Sequence, residues 1–533
     1  MALSHLEKAQ VWLFKAVMGV LFMLFRLFSP RRPAVPGKKL PLISNPLLLM
    51  SATQLAKKIR RKEVSSVEVM QAYIDRIQQV NPYLNAVIKD RFDAALLEAT
   101  QADKQIEEET GGEEELEDEL GDRLPLLGVP LSVKEAYAVK GMPNTTGVVS
   151  RRGFPAIVDA PPVALLKRAG AIPMGVTNTS ELCMWYESHN HLYGITNNPY
   201  DLERMAGGSS GGEGSILAAA GSVIGMGSDI GGSIRMPCFF NGIFGHKTSP
   251  GVVSNENHHP PVTGRHKEFG CNGPMCRYAE DLLPMLKIMA GPNAHMLSLN
   301  TKVDLKKLRF FTVPHDGGSL LAYPVTKELL EIQRKVVKRL EADLGVEVQE
   351  VRFPELRYSY QIWDTYKALP DKEGKPPPAL VELLGEPGRP MRPLWELLKW
   401  MVGKSEHTMP SIRRSLLEMT RASKPSAFII QQKEKLQKKV DELLGTDGVF
   451  LYPTHPRVAP KHHHTLFRPF DSCYTGIINI LGLPVTQCPL GLGEEGLPLG
   501  LQVVAGKLQD HLTLEVALYL EKTFGGWREP GAN

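Results

Sequence analysis

The sequence predicts a large globular fold that mixes helix and strand. Three observations carry this expectation: a 533-residue chain with 43% hydrophobic and 23% charged residues, helical periodicity near its start, and short β-like apolar runs near its end. That balance supplies an extensive core and separates the chain from disordered sequences. Length alone suggests about three domains of ordinary size, but large α/β enzymes exceed that norm, so the motifs decide.

The first segment, Val11 to Phe28, is almost wholly apolar, interrupted by Lys15 and Arg26 and followed by Ser29-Pro30-Arg31-Arg32-Pro33. Its unbroken part, Ala16 to Phe25, is too short to cross about 30 Å of hydrocarbon. With Lys15 and Arg26 snorkelling to the interfaces the whole segment just reaches. Residues 1–32 are therefore expected to form a membrane anchor, spanning or interfacial, and not a signal peptide, since no small-x-small cleavage site follows. Basic residues concentrate after it (Arg26, Arg31, Arg32, Lys38, Lys39), which favours a body on the cytoplasmic side. Residues 33–50 read as a Pro-rich linker and 51–528 as the body.

Within the body, Ser51 to Gln54 and Ser65 to Glu68 read as capping boxes, the second opening a helix with Val69, Tyr73, Ile77 and Val80 on one face. The acidic run from Glu107 to Asp122 reads as a solvated loop or helix tip, because its like charges repel. From Leu124 to about Gly251, short apolar runs alternate with Gly, Ser, Thr and Asn clusters, the pattern of strands feeding site-bearing turns. Between about 300 and 444 the composition becomes helical, notably at Lys327 to Leu344 and Lys433 to Leu444, and reads as a helical insertion. Inside it, Leu394 to Val402 is apolar almost all round. A core helix is the plain expectation; a membrane-interface patch is the competing one, given Trp395 and Trp400 beside Arg392, Lys399 and Lys404. Strand-like runs return at Val449 to Tyr452 and Pro498 to Ala505, and a final helix runs from Asp510 to before Gly525.

Several function classes fall away. The net charge of +4 is spread along the chain with no arginine-rich run, so nucleic acid is not an expected partner. Six cysteines in so long a chain make no disulfide framework. Cys271 and Cys276 lack a second pair at zinc-ribbon spacing, and His462, His463 and His464 sit in a polar stretch, so neither metal nor cofactor is expected. Gly207-Gly208-Ser209-Ser210-Gly211 fits the nucleophile-elbow pattern, but Asp201 to Arg204 before it is no strand. Gly245-His246-Lys247-Thr248 breaks the contiguous Gly-Lys of a phosphate loop.

The chemistry concentrates in two blocks, Gly207-Gly208-Ser209-Ser210-Gly211-Gly212-Glu213-Gly214 and Asp229-Ile230-Gly231-Gly232-Ser233-Ile234-Arg235, with an Ala-rich helix candidate from Ser215 to Gly221 between them. Glycines before a serine let successive amides approach one oxygen, so the N–H groups of Ile230, Gly231, Gly232 and Ser233 are candidates for an oxyanion hole. A serine nucleophile needs a base, and Lys134 ends an apolar segment that starts at Leu126, where an unpaired charge is costly. A structural ion pair is the alternative for this lysine. To act as a base near neutrality its pKa must fall by about 3 units, worth roughly 4 kcal/mol. Spacing leaves open which serine attacks.

These blocks, with the upstream Lys134, resemble the amidase-signature family. Weaker matches follow at Thr475, Asn479, Gly482, Pro484 and Gly500-Leu501-Gln502, so the likeness covers most of the chain. The hydrophobic start and the Glu213-Gly214 continuation look most like its fatty-acid amide hydrolases, the shorter paralogue in particular. The resemblance implies an α/β fold, a mixed twisted sheet flanked by helices. It implies Ser233 as the acylated nucleophile, Ser209 as a bridging serine with a cis peptide, and Lys134 as the base. Ser210, Asp229 and Arg235 are expected to support the loop, the last two as an ion pair. The implied activity is cleavage of fatty-acid primary amides and N-acylethanolamine-type amides, with a lipid amide, a membrane and, in a homodimer, a second copy as partners. Two rivals remain: the glutaminase subunit of a transamidating complex, against which the hydrophobic start argues, and an inactive membrane-tethered binding protein, against which the complete Lys134, Ser209 and Ser233 set argues.

Overall fold

Among the described residues, thirteen short strands organise the chain: β1 (Val87–Asp90), β2 (Pro130–Lys134), β3 (Ile172–Thr177), β4 (His189–Asn190), β5 (Gly194–Ile195), β6 (Ile224–Asp229), β7 (Phe244–Lys247), β8 (Cys271–Cys276), β9 (Arg309–Thr312), β10 (Val348–Glu350), β11 (Gly448–Tyr452), β12 (Val485–Leu492) and β13 (Pro498–Ala505). The computed structural model describes residues 39–110, 114–319, 321–419 and 425–532. Eleven strands form one mixed sheet in the order β1-β3-β2-β6-β8-β7-β12-β13-β11-β9-β10, while β4 and β5 pair separately. β2 lies parallel to β3 and β6, the successive pairings from β6 through β8, β7, β12 and β13 to β11 are antiparallel, and β11 is again parallel to β9. The central strands β2, β3, β6, β7, β8 and β13 are buried along their whole length, as strands covered on both faces are.

The parallel register sets the site. Val133 of β2 pairs with Met226 of β6, so Lys134 and the pair Ser228-Asp229 emerge at the same carboxyl edge of the sheet, where open α/β sheets hold their ligands. Helix Gly211–Ala218 and helix Arg235–Phe240 then carry the chain away from the two Gly-Ser blocks. Both helices are fully buried, which is why their sequences show no polar face.

Several sequence expectations hold. Ser65 and Glu68 make a reciprocal capping box, and Val69, Tyr73, Ile77 and Val80 are buried along helix Ser66–Leu84. Helix Lys327–Leu344, strand β13 and helix Asp510–Phe524, capped by left-handed Gly525, match their expected spans. Others need correction. Ser51 caps the amide of Gln54, but the Gln54 side chain reaches Glu280 instead of returning to the cap, so only half of that box exists. The acidic run is helical, in Phe92–Thr110 and Glu114–Arg123; solvent and the Arg123–Glu109 and Lys62–Glu107 pairs offset its repulsion. Residues 39–50 of the expected linker pack on the body through buried Leu40 and Leu48. The stretch from 300 to 444 is not a purely helical insertion, because β9 and β10 extend the main sheet. Leu394 to Val402 is no core helix: helix Pro393–Met401 leaves Leu394 64% and Trp395 57% exposed. The expected anchor, residues 1–32, lies outside the described residues, and no described helix is long and apolar enough to cross a membrane.

Arg277 ties the early chain to the sheet. It is fully buried, donates to the carbonyls of Leu217, Ser222 and Leu48, and lies over the Trp527 ring at 5.3 Å. Replacement by leucine strands three buried acceptors, each costing about 1–3 kcal/mol. Arg277→Leu is therefore expected to lower the urea midpoint by an amount equivalent to at least about 3 kcal/mol, read by equilibrium unfolding.

Candidate active site

Lys134 is fully buried, and its Nζ hydrogen-bonds Ser209 Oγ at 2.6 Å and Ser228 Oγ at 2.9 Å. Burial pushes its pKa below the ordinary lysine value, against the opposing pull of Cys183, Asp229 and Glu213. Two neutral hydroxyls are thus its hydrogen-bond partners, and no carboxylate bonds it directly. Glu213, at the start of helix Gly211–Ala218, is pushed up to about 7 by burial even though Ser132 and Thr177 donate to it at 2.7 and 2.8 Å. Its charge near Lys134 is correspondingly diluted at neutral pH.

Ser209 follows a cis peptide after Gly208. Its carbonyl accepts from Ser188 Oγ at 3.0 Å, and that oxygen accepts from the Gly211 amide at 2.8 Å. Ser233 lies at the head of helix Arg235–Phe240 and keeps 8% exposure. No direct hydrogen bond joins the Ser209 and Ser233 hydroxyls in this resting arrangement; the two blocks are tied by the Ser210 amide, which donates to the Ser233 carbonyl at 3.2 Å. The Ser210 hydroxyl is buried without a partner among the described residues. Ser209, Ser228 and Ser233 all line one cavity of about 800 Å³, with apolar walls that include Met184, Pro377, Leu380, Leu383 and Leu417.

The loop before Ser233 is braced on every side. Arg235 forks onto Asp229, with Nε to Oδ2 and Nη2 to Oδ1 both at 3.0 Å, and neither side chain sees solvent. Burial alone would raise the Asp229 carboxyl; the charge and hydrogen bonds of Arg235 hold it well below the usual carboxylate range. Asn479 donates to Asp229 at 3.0 Å and accepts from Arg235 at 2.6 Å, while Gln502 accepts from Arg235 at 2.9 Å. Thr475 donates to the Gly231 carbonyl at 2.6 Å, and the Trp363 indole to the Ile230 carbonyl at 3.0 Å. With their carbonyls held outward, the amides of Ile230, Gly231 and Ser233 have no acceptor among the described residues. Gly232 differs from the expectation: its N–H donates to Asp229 Oδ1 at 2.7 Å, because the carboxylate curls back under its own loop.

Sequence reasoning named Lys134, Ser209, Ser233, Asp229 and Arg235, and the fold gathers them at one sheet edge. It missed Ser228, whose pairing with Lys134 depends on strand register, and it found no histidine at a telling position. His258 nevertheless lines the cavity, its pKa pushed down to about 4 by burial and by the Lys134 charge. Cys183 is another wall residue. Nothing local in the sequence signals either.

Gly232 has φ +120°, and a Cβ there would meet Thr475 Oγ1 at 2.1 Å. Gly232→Ala is therefore expected to disorder the Ser233 loop and abolish labelling by a fluorophosphonate probe while circular dichroism stays unchanged.

The geometry has counterparts among known proteins. Residues 68–514 match the Amidase family model. The chain is 66% identical to fatty-acid amide hydrolase 2-A of Danio rerio, covering 100% of this chain and 99% of that protein. It is 55% identical to fatty-acid amide hydrolase 2 of Homo sapiens, covering 92% of each. Among solved structures, one of fatty acid amide hydrolase superposes with a TM-score of 0.70 at 24% identity, covering 90% of this chain and 86% of that one, a likeness of fold. With its mixed sheet, its paired Gly-Ser blocks and these relatives, the chain belongs to the amidase family.

Proposed function

We propose that this chain is a membrane-associated serine hydrolase that splits fatty-acid amides, both primary amides and N-acylethanolamine-type amides, into free fatty acid and amine. The observation that carries the reading is the buried Lys134 amine held 2.6 Å from Ser209, a serine that lines an apolar-walled cavity together with Ser233. The names borne by the full-length relatives supply the substrate class.

In the proposed reaction, Ser233 Oγ attacks the amide carbonyl as its proton passes to Ser209, whose own proton passes to neutral Lys134. The oxyanion faces the amides of Ile230, Gly231 and Ser233, each such donor being worth about 3 kcal/mol of barrier. The proton then returns from Lys134 through Ser209 to the leaving nitrogen, and the carbon–nitrogen bond breaks. Water attacks the resulting ester, releasing the fatty acid and restoring the Ser233 hydroxyl. Since the resting hydroxyls of Ser209 and Ser233 are not bonded to each other, substrate seating has to close that gap.

Membrane contact, in this reading, runs through residues 1–32 and helix Pro393–Met401. That helix packs on helix Met409–Met419, whose Arg413, Arg414 and Leu417 line the cavity. The exposed helix thus lies one helix away from the chamber a lipid would enter, and its tryptophans with Lys399 suit an interface.

Ser233→Ala, Ser209→Ala and Lys134→Ala are each expected to lower oleamide hydrolysis by roughly 1000-fold or more. The fluorophosphonate adduct is expected to map to Ser233; an adduct on another serine, or full turnover in Ser233→Ala, overturns the assignment. Because only the neutral amine accepts a proton, kcat/KM is expected to rise with pH, with an inflection below the ordinary lysine value of 10.5. Deleting residues 1–32 together with Trp395→Glu and Leu398→Glu is expected to move the protein from vesicle pellet to supernatant, with soluble-substrate turnover retained; unchanged pelleting removes the membrane claim.

A further inference from the structure

Glu181 is a carboxylate with 2% exposure that the proposed chemistry does not use. Every bond it makes goes to one place. Its Oε1 is 2.7 Å from His407 Nδ1, and its Oε2 accepts from the Thr408 amide at 2.8 Å and the Thr408 hydroxyl at 2.7 Å. His407 and Thr408 form the junction between helix Pro393–Met401 and helix Met409–Met419. Thr408 starts the second helix, its carbonyl accepting from the Ile412 amide. The junction is itself held to the first helix, because Ser405 donates to Glu396 at 2.7 Å and accepts from the His407 amide at 3.1 Å.

Immediately after Glu181, Leu182 and Cys183 adopt φ of 52° and 56°, the left-handed region that side chains other than glycine rarely occupy without outside support. The turn they form delivers Cys183 and Met184 to the wall that also holds Ser209 and Ser233. Cys183 shares a hydrogen bond with Thr179 at 3.4 Å. The Ser180 hydroxyl closes the turn from the other side through the Trp185 carbonyl at 2.9 Å. The helix junction and the cavity wall beside Ser209 and Ser233 are thus joined by one buried carboxylate and the strained turn that follows it.

We propose that Glu181 is a positioning residue for amide cleavage: by clamping His407 and Thr408 it holds the Leu182-Cys183 turn in the conformation that seats Cys183 and Met184 in the cavity wall shared with Ser209 and Ser233. This rests on the proposed Ser-Ser-Lys reading. A carboxylate suits the task because two acceptor oxygens serve three donors from adjacent residues, and a charged acceptor roughly doubles the strength of each bond. The neighbouring charges are consistent with the clamp, since Glu181 raises the His407 pKa despite burial, with Glu396 and Glu406 adding to it.

The test is Glu181→Gln in the full chain, with active sites counted by fluorophosphonate titration and turnover measured on a short, soluble acyl amide. The expected result is a 10- to 100-fold fall in kcat per titrated site with KM within about twofold. A merely structural role would lower the unfolding midpoint and the number of titratable sites but leave kcat per site as in the wild type; that outcome overturns the proposal. Should Glu181→Gln not fold, Thr408→Ala, which removes one of the donors at the helix junction, is read the same way with an expected fall of about 5-fold. Absence of turnover in the wild-type chain, by contrast, would sink the hydrolase reading itself and not the clamp alone.

Discussion

An amine without water around it dominates this structure. Lys134 is fully desolvated, and desolvation disfavours its charged form, so the pKa depends on which negative charges are allowed to answer. Two carboxyls stand close enough to matter, and the fold handles them differently. Asp229 is ionised, but its charge is matched by the bidentate Arg235 fork and by Asn479. Glu213 is pushed up to about 7 by its own burial, which weakens its pull on the amine at neutral pH. What remains beside the Lys134 amine as hydrogen-bond partners is a pair of hydroxyls. Exchange either carboxyl's arrangement for an exposed, unmatched carboxylate, and the lysine would be held as an ammonium, unable to take a proton.

The same Asp229 also shapes the loop above it. One carboxylate serves the Arg235 guanidinium and the amides of Gly232 and Ile234, bending the chain so that the intervening carbonyls turn outward. Those carbonyls are then fixed by groups far along the chain, Trp363 and Thr475, while Asn479 and Gln502 complete the guanidinium's shell. With their carbonyls so tied, the amides of Ile230 and Gly231 are left without an acceptor among the described residues. A network in which every member is satisfied gives rigidity that isolated hydrogen bonds would not, and here it spans strands and helices contributed by both halves of the chain.

How much of this is legible in the sequence follows from how local each feature is. The Gly-Ser blocks are legible because glycine runs beside serine have few other physical uses, and the capping of helix Ser66–Leu84 because its partners lie three residues apart. Ser228 is invisible, since its meeting with Lys134 depends on the parallel register of β2 and β6. Gly232 was expected to donate inward, and no spacing could reveal that Asp229 takes its N–H first. The three- and four-residue strands β9 and β10 are hidden among helical composition because two parallel pairings to β11 and to each other, not alternation, define them. For Leu394 to Val402, apolar residues all round a helix predict burial by protein, and the ambiguity between protein and lipid as the burying medium is built into the pattern itself.

That ambiguity has a structural answer of its own. Leaving Leu394, Trp395, Leu398, Trp400, Met401 and Val402 exposed on one short helix carries a hydrophobic cost that a solitary surface residue would not. The helix is nonetheless held firmly, through Glu396 to Ser405 and Lys399 and through the His407-Thr408 junction to Glu181. Firm seating with an unburied face is the arrangement expected of a surface built to meet an apolar phase, and the helix behind it contributes Arg413, Arg414 and Leu417 to the cavity wall. The apolar face and the cavity wall are carried by two helices packed on each other, so whatever holds the junction at Glu181 holds both.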